Sequence, residues 1–173
     1  TPVIGTGLWS IVAGAGGSFV SPSSESSVFN GVAGTTYQLQ WTISNGVCAP
    51  STSIVNVALQ QSPTVSAAGP DQNICGTSAT LAANVPVVGS GLWSIVSGAG
   101  GSFVLNTDPA TTFNGVAGTT YVLRWTISNG VCTASTDDVQ IRFDQSPTAS
   151  NAGPDQTGAS AVCGTSTTLA ANT

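Results

Sequence analysis

The chain has 173 residues with seven acids, two bases and no His, Lys or Met, so only 5% of it is charged against about a quarter in an ordinary soluble domain. Without His or Lys there is no Ser/His or Cys/His pair, no imidazole ligand, no Schiff-base nitrogen and no phosphate-cradling lysine, and no enzyme is expected. Arg124 and Arg142 alone, against a net charge of −5, cannot neutralise a nucleic-acid backbone or an anionic bilayer, and no apolar run approaches the ~18 residues that span one.

In chain order, GLWSIV at 7–12 predicts a short strand, GAGGS at 14–18 a Gly-rich turn, and SPSSESSV at 21–28 a surface loop. FNGVAGTTY at 29–37 and WTISNGVC at 41–48 follow, motifs whose second copies flank a run alternating as a half-buried strand. SNG at 44–46 is a turn signal, Cys48 follows it, and Val55, Val57 and Leu59 alternate along the next strand. QSPT at 61–64 marks a boundary, because Pro63 interrupts pairing just after a strand ends. AGPDQ at 68–72, Cys75 and a short strand in ATLAAN at 79–84 complete the series.

The series then begins again. Residues 5–72 and 89–156 share 45 identities in 68 ungapped positions at an offset of 84, and the register slips only at Gly158 to Ala161, four residues inserted before CGTS at 163–166. LNTDPATT at 105–112 matches its counterpart loop at no position, while Tyr121, Leu123, Trp125 and Ile127, and then Val139, Ile141 and Phe143, repeat the inward alternation. GAGGS at 98–102 lacks the GK[ST] ending and following helix of a phosphate loop and is read as a turn. Short strands separated by Gly, Pro, Asn and Ser clusters predict an all-β chain of tandem immunoglobulin-like (PKD-like) β-sandwich repeats.

Cutting at Pro63 and Pro147 makes 63–146 one complete repeat, 1–62 the later strands of a partial one, and 147–173 the opening strands of a further one. An alternative register is 1–84 and 85–173. The expected core is Trp9, Trp41, Trp93, Tyr121 and Trp125 with Leu123, Ile127, Val139 and Ile141, and Trp93 is expected on a middle strand beneath the one carrying Tyr121 and Trp125.

Together, AGPDQ, a Cys-Gly, TLAAN, GxWSIVSG, AGTTYxLRWTISNG and a final Cys resemble the PKD-like and immunoglobulin-like tandem repeats of giant Bacteroidota cell-surface adhesins of the gliding-motility type, over essentially the whole chain. The resemblance implies an extracellular, cell-surface filament exported by type IX secretion, with many units in series.

Cys48, Cys75, Cys132 and Cys163, two per unit in a chain of secreted composition, are disulfide candidates, and no Cys-x-x-Cys or His partner suggests zinc. In a plain immunoglobulin-like order Cys75 and Cys132 lie at opposite poles about 20–25 Å apart, too far to bridge. Two pairings stay open: the early Cys of one unit with the late Cys of the next, or Cys48–Cys75 and Cys132–Cys163 in the permuted register.

The calcium candidates are Asp71, Asp137, Asp138 and Asp155, with Asp144 nearby, although the first copy has Ser53 and Ile54 where the second has Asp137 and Asp138. The structural reading of Asp71 is a turn beside Pro70.

The expected function is a structural stalk module of a long adhesin filament, in surface adhesion or gliding motility. Its partners would be neighbouring repeats of the same chain, surface glycans or other filament subunits. The competing classes are a carbohydrate-binding module, whose loops at 21–28 and 105–112 would touch glycan, and an accessory domain of a secreted enzyme.

Overall fold

The computed structural model describes residues 2–157 and 160–172, so Gly158 and Ala159 of the four-residue insertion lie outside the described residues. The chain is all-β. Its first part holds β1 (Thr6–Ala13), β2 (Ser18–Phe19), β3 (Phe29–Asn30), β4 (Thr35–Ser44) and β5 (Ser51–Leu59). Beyond the linker follow β6 (Gln72–Cys75), β7 (Ser78–Thr80), β8 (Ser90–Ser97), β9 (Ser102–Phe103), β10 (Thr112–Asn114), β11 (Thr120–Ser128) and β12 (Ser135–Asp144).

The last seven strands make a two-layer sandwich. One sheet has the order β6-β12-β11-β8 and the other β7-β10-β9. The SNG turn joins β11 to β12 as an antiparallel pair, with Tyr121 opposite Ile141 and Leu123 opposite Val139, so the alternating apolar residues of both strands face the same layer. β6 instead runs parallel to β12, with Gln72 opposite Ile141 and Cys75 opposite Asp144. A parallel neighbour requires a long crossover, and the whole body of the unit supplies it.

Alternation at period two predicts burial well here: Tyr121, Leu123, Trp125, Ile127, Val139, Ile141 and Phe143 are all buried. They form one cluster with Ala68, Ala79, Leu81, Trp93 and Phe113, all drawn from residues 68–143. Trp93 is in this cluster but not on a middle strand. It sits directly opposite Trp125 on β8, an edge strand of the same sheet, because inward parity fixes which face a side chain takes and not how many neighbours its strand has. The free N–H of that edge is covered by the variable loop, since Trp93 N donates to Asn106 O at 2.7 Å. In the ATLAAN stretch β7 ends at Thr80, yet Leu81 N and Ala83 N still donate to Thr111 O and Pro109 O, so the loop at 105–112 is clamped on both sides.

The first part repeats this plan incompletely. β1-β4-β5 form a three-stranded sheet, with Trp9 opposite Trp41, and β2 pairs with β3. Among the described residues no strand pairs with β5 in the position that β6 takes beside β12. Val55 on β5 is therefore 44% exposed, whereas its counterpart Val139 is 1% exposed.

Residues 147–172 carry no strand among those described, but they make the local bonds of an opening segment. Asn172 N donates to Asn151 O and Asn172 Nδ2 to Ala149 O, as Asn84 N donates to Ala67 O and Asn84 Nδ2 to Val65 O. Gln156 Nε2 reaches Thr168 O at 3.1 Å, as Gln72 Nε2 reaches Thr80 O at 3.0 Å. Among the described residues no sheet lies against this segment, and Leu169 is 76% exposed where its counterpart Leu81 is 1% exposed.

Candidate functional site

Two repeated features are candidates: the aromatic column inside each unit and the polar joints at its ends. In the complete sandwich the column runs from Trp125 to Trp93 (5.1 Å between ring centroids), then through Phe103 and Phe113 to Tyr121. The Tyr121 hydroxyl donates to Ala99 O at 2.7 Å and accepts from Val116 N at 3.0 Å, tying two loops together. Tyr37 makes the equivalent pair of bonds to Ala15 O and Val32 N. The indole N–H groups of Trp93 and Trp125 are buried without an acceptor.

Neither tryptophan of the complete sandwich offers a surface for stacking a sugar. Trp9 and Trp41 differ. They are half-buried, and with Glu25, Ser53, Ile54 and Val55 they line an open cavity of about 290 Å³.

The acidic residues are dispersed among separate contacts. Asp71 Oδ1 accepts the Gln140 N–H at 2.8 Å, so it reaches across to β12 rather than closing a turn beside Pro70. Asp137 Oδ2 accepts the Ala68 N–H at 2.7 Å. Asp138 takes a two-pronged bond from Arg124, Nε to Oδ1 at 2.7 Å and a guanidinium NH₂ to Oδ2 at 2.8 Å, directly across the β11–β12 ladder. This bond holds the Asp138 carboxyl below the usual carboxylate range and raises Arg124. Asp144 accepts from Arg142 Nε at 2.8 Å. Among the described residues no group of three His, Cys, Asp or Glu side chains is placed to hold a metal ion, and the calcium candidates Asp71, Asp137, Asp138 and Asp155 are not brought together.

All four cysteines are free, so the pairs Cys48–Cys75 and Cys132–Cys163 are not formed. The reason is position: Cys75 ends β6 and lies 3.8 Å from the Ser146 hydroxyl, at the exit of the sandwich. Cys132 lies at the opposite pole, where its thiol points at Gln61 O at 3.4 Å.

Gln61 O is also the acceptor for Asn129 Nδ2 at 2.7 Å, so the turn of one unit grips the last residues of the preceding one. Beyond Pro63, Thr64 Oγ1 accepts from Val87 N and Val88 N at 2.9 and 2.8 Å, and Ser66 N donates to Ser135 Oγ at 2.9 Å. These joint residues were not among the sequence candidates. The signal that finds them is their identity between copies: Asn45 and Asn129, Ser51 and Ser135, Thr64 and Thr148, and Ser66 and Ser150 all match.

Among the described residues no helix is long and apolar enough to cross a membrane. No family model matches the sequence, and no curated protein matches it. Among solved structures the chain is similar to protocadherin gamma B2 extracellular cadherin domains 3–6, at 14% identity and a TM-score of 0.33, over 81% of this chain and 41% of that one. It is likewise similar to domains 1–5 of that protein, at 14% identity and a TM-score of 0.32, over 83% of this chain and 33% of that one. The chain thus spans less than half of either structure. Its own strands and their order establish the architecture: tandem immunoglobulin-like β-sandwich repeats.

Proposed function

We propose that the chain is a section of an extracellular, cell-surface stalk built of sandwich modules in series, with 63–146 as one module, 1–62 the later strands of the module before it and 147–173 the opening of the next. The observation that carries this reading is the joint. Asn129 Nδ2 holds the Gln61 carbonyl and the Val87 and Val88 N–H groups hold Thr64 Oγ1, so the chain on both sides of Pro63 is tied to residues of the 63–146 module. A scarcity of charge suits a neutral rod whose work is mechanical rather than chemical. The resemblance to Bacteroidota repeats supports placement in an adhesin filament exported by type IX secretion, in surface adhesion or gliding motility.

Small-angle scattering on chains of increasing repeat number tests the reading. A stalk gains about 35–45 Å of maximum dimension per added repeat. A dimension that stays constant as repeats are added overturns it.

A second reading, carbohydrate binding, is favoured by the cavity at Trp9 and Trp41 with Glu25 on its rim. A glycan array on the chain and on Trp9→Ala separates the two: a stalk is silent, and a lectin gives a signal that Trp9→Ala removes.

A further inference from the structure

We infer that the cysteines are staples across the joint: the early cysteine of a module, the Cys75 type, forms a disulfide with the late cysteine, the Cys132 type, of the module that follows it. The inference rests on the stalk reading above. It comes from the dipeptide that closes each module, Gln61–Ser62 in one copy and Gln145–Ser146 in the next. At Gln145–Ser146 the neighbour is the early cysteine of the same module, with Cys75 Sγ 3.8 Å from Ser146 Oγ. At Gln61–Ser62 the neighbour is the late cysteine of the following module, with Cys132 Sγ 3.4 Å from Gln61 O. The dipeptide has the same setting in both copies, since Gln61 lies against Gly34 as Gln145 lies against Gly118. The two contacts use different atoms of it, so a joint between whole modules carries both and brings the two thiols to one place.

Backbone bonds fix where each cysteine stands. Cys132 N donates to Asn129 O at 3.1 Å in the turn after β11, as Cys48 N donates to Asn45 O at 3.2 Å in the other copy. Cys75 is paired with Asp144 in the parallel β6–β12 ladder, just before Ser146. A disulfide needs Cα atoms about 4.4–6.8 Å apart, a span that side chains touching adjoining residues of one dipeptide can meet. Within a single module the same two cysteines sit at opposite poles, one at the exit and one at the entry, so each can close only on an adjoining module.

The oxidant is a small disulfide such as oxidised glutathione. One cysteine thiolate attacks it and releases one glutathione thiol; the second thiolate then attacks the mixed disulfide and releases the other. Two protons and two electrons pass from the cysteines to glutathione, and one S–S bond forms for the one broken. Cys75 is exposed and Cys132 half-buried, which leaves both open to this exchange. The staple lies in parallel with the Pro63 linker, so tension along the stalk crosses the joint by a second covalent route.

The chain as it stands supports the first test. Ser62→Cys and Ser146→Cys are near-isosteric changes at exposed positions, and under excess oxidised glutathione the first should close on Cys132 and the second on Cys75. A new thiol that stays free in either variant means that the cysteine does not face the dipeptide, and overturns the inference. The second test is a chain lengthened by one module, with residues 63–146 present twice in succession. After oxidation, peptic mapping without reductant should give one cross-linked peptide, Cys75 of the first copy with Cys132 of the second. The free-thiol titre should remain the four of the parent, although Cys75 and Cys132 are each present a second time. Every thiol remaining free, or a bond between Cys75 and Cys132 of the same copy, would overturn the inference. Scattering on the lengthened chain with every Cys75 and Cys132 changed to Ser still reports the gain in length per repeat, so the stalk reading stands or falls separately.

Discussion

The six-membered ring of Trp125 occupies the place where a Cβ on Gly91 would stand, so no side chain on that residue could be accommodated without moving the ring. The glycine therefore leaves the space that the largest core ring fills, on the neighbouring strand two residues from Trp93 in the Trp93–Trp125 pair, and the same arrangement recurs between Gly7 and Trp41. Gly91→Ala forces a buried ring to shift and is expected to cost about 2–3 kcal/mol, read from a denaturant midpoint followed by tryptophan fluorescence. Gly7→Ala should cost less, because Trp41 is only half-buried and has room to give way.

Tyr121→Phe keeps the ring and deletes the hydroxyl that serves Ala99 O and Val116 N. Two backbone groups then lose their partner. The expected loss is about 1.5–3 kcal/mol, and the amide of Val116 should exchange its hydrogen faster than in the parent chain.

Asp138 gives a pH dependence of known sign. Its folded carboxyl titrates below the unfolded one, chiefly through the Arg124 hydrogen bonds, so the stabilisation is present above the unfolded value of about 3.9 and is lost as pH falls through the lower folded value. The pair is exposed to solvent and its contribution is small. Arg124→Gln, which installs the residue of the first copy, should flatten the stability curve of the parent between about pH 5 and 2. Urea midpoints for both chains across that range check it.

Both sites for trypsin lie on strands paired on each side, Arg124 on β11 between β12 and β8, and Arg142 on β12 between β6 and β11. A protease needs an extended, unpaired strand, so cleavage is expected only on unfolding and at the same denaturant concentration as the fluorescence transition. Since residues 1–62 contain no Lys or Arg, the digestion reports on the complete sandwich alone. Rapid cutting after Arg124 in native buffer would contradict the strand order.

What the sequence made legible was decided by local periodicity. Tyr121 to Ile127 and Val139 to Phe143 alternate, and both runs are buried on alternate residues as read. What it hid depends on partners far along the chain. Trp9 and Trp93 sit in nearly identical local sequence, yet one is half-buried and the other fully buried, because the difference lies in whether an opening segment covers them. Asp71 and Asp137 likewise read as an acidic boundary, and only the crossover that lays β6 against β12 turns them into anchors for backbone N–H groups. The edge position of Trp93 was hidden for the same reason.

The parallel pairing of β6 with β12 has a mechanical consequence. A pull that separates the entry of the sandwich from its exit drags these strands past each other along their length, because their chain directions agree and the force enters at opposite ends. The ladder is loaded in shear, with its hydrogen bonds sharing the force at once, where an antiparallel pair pulled from one end would open bond by bond like a zip.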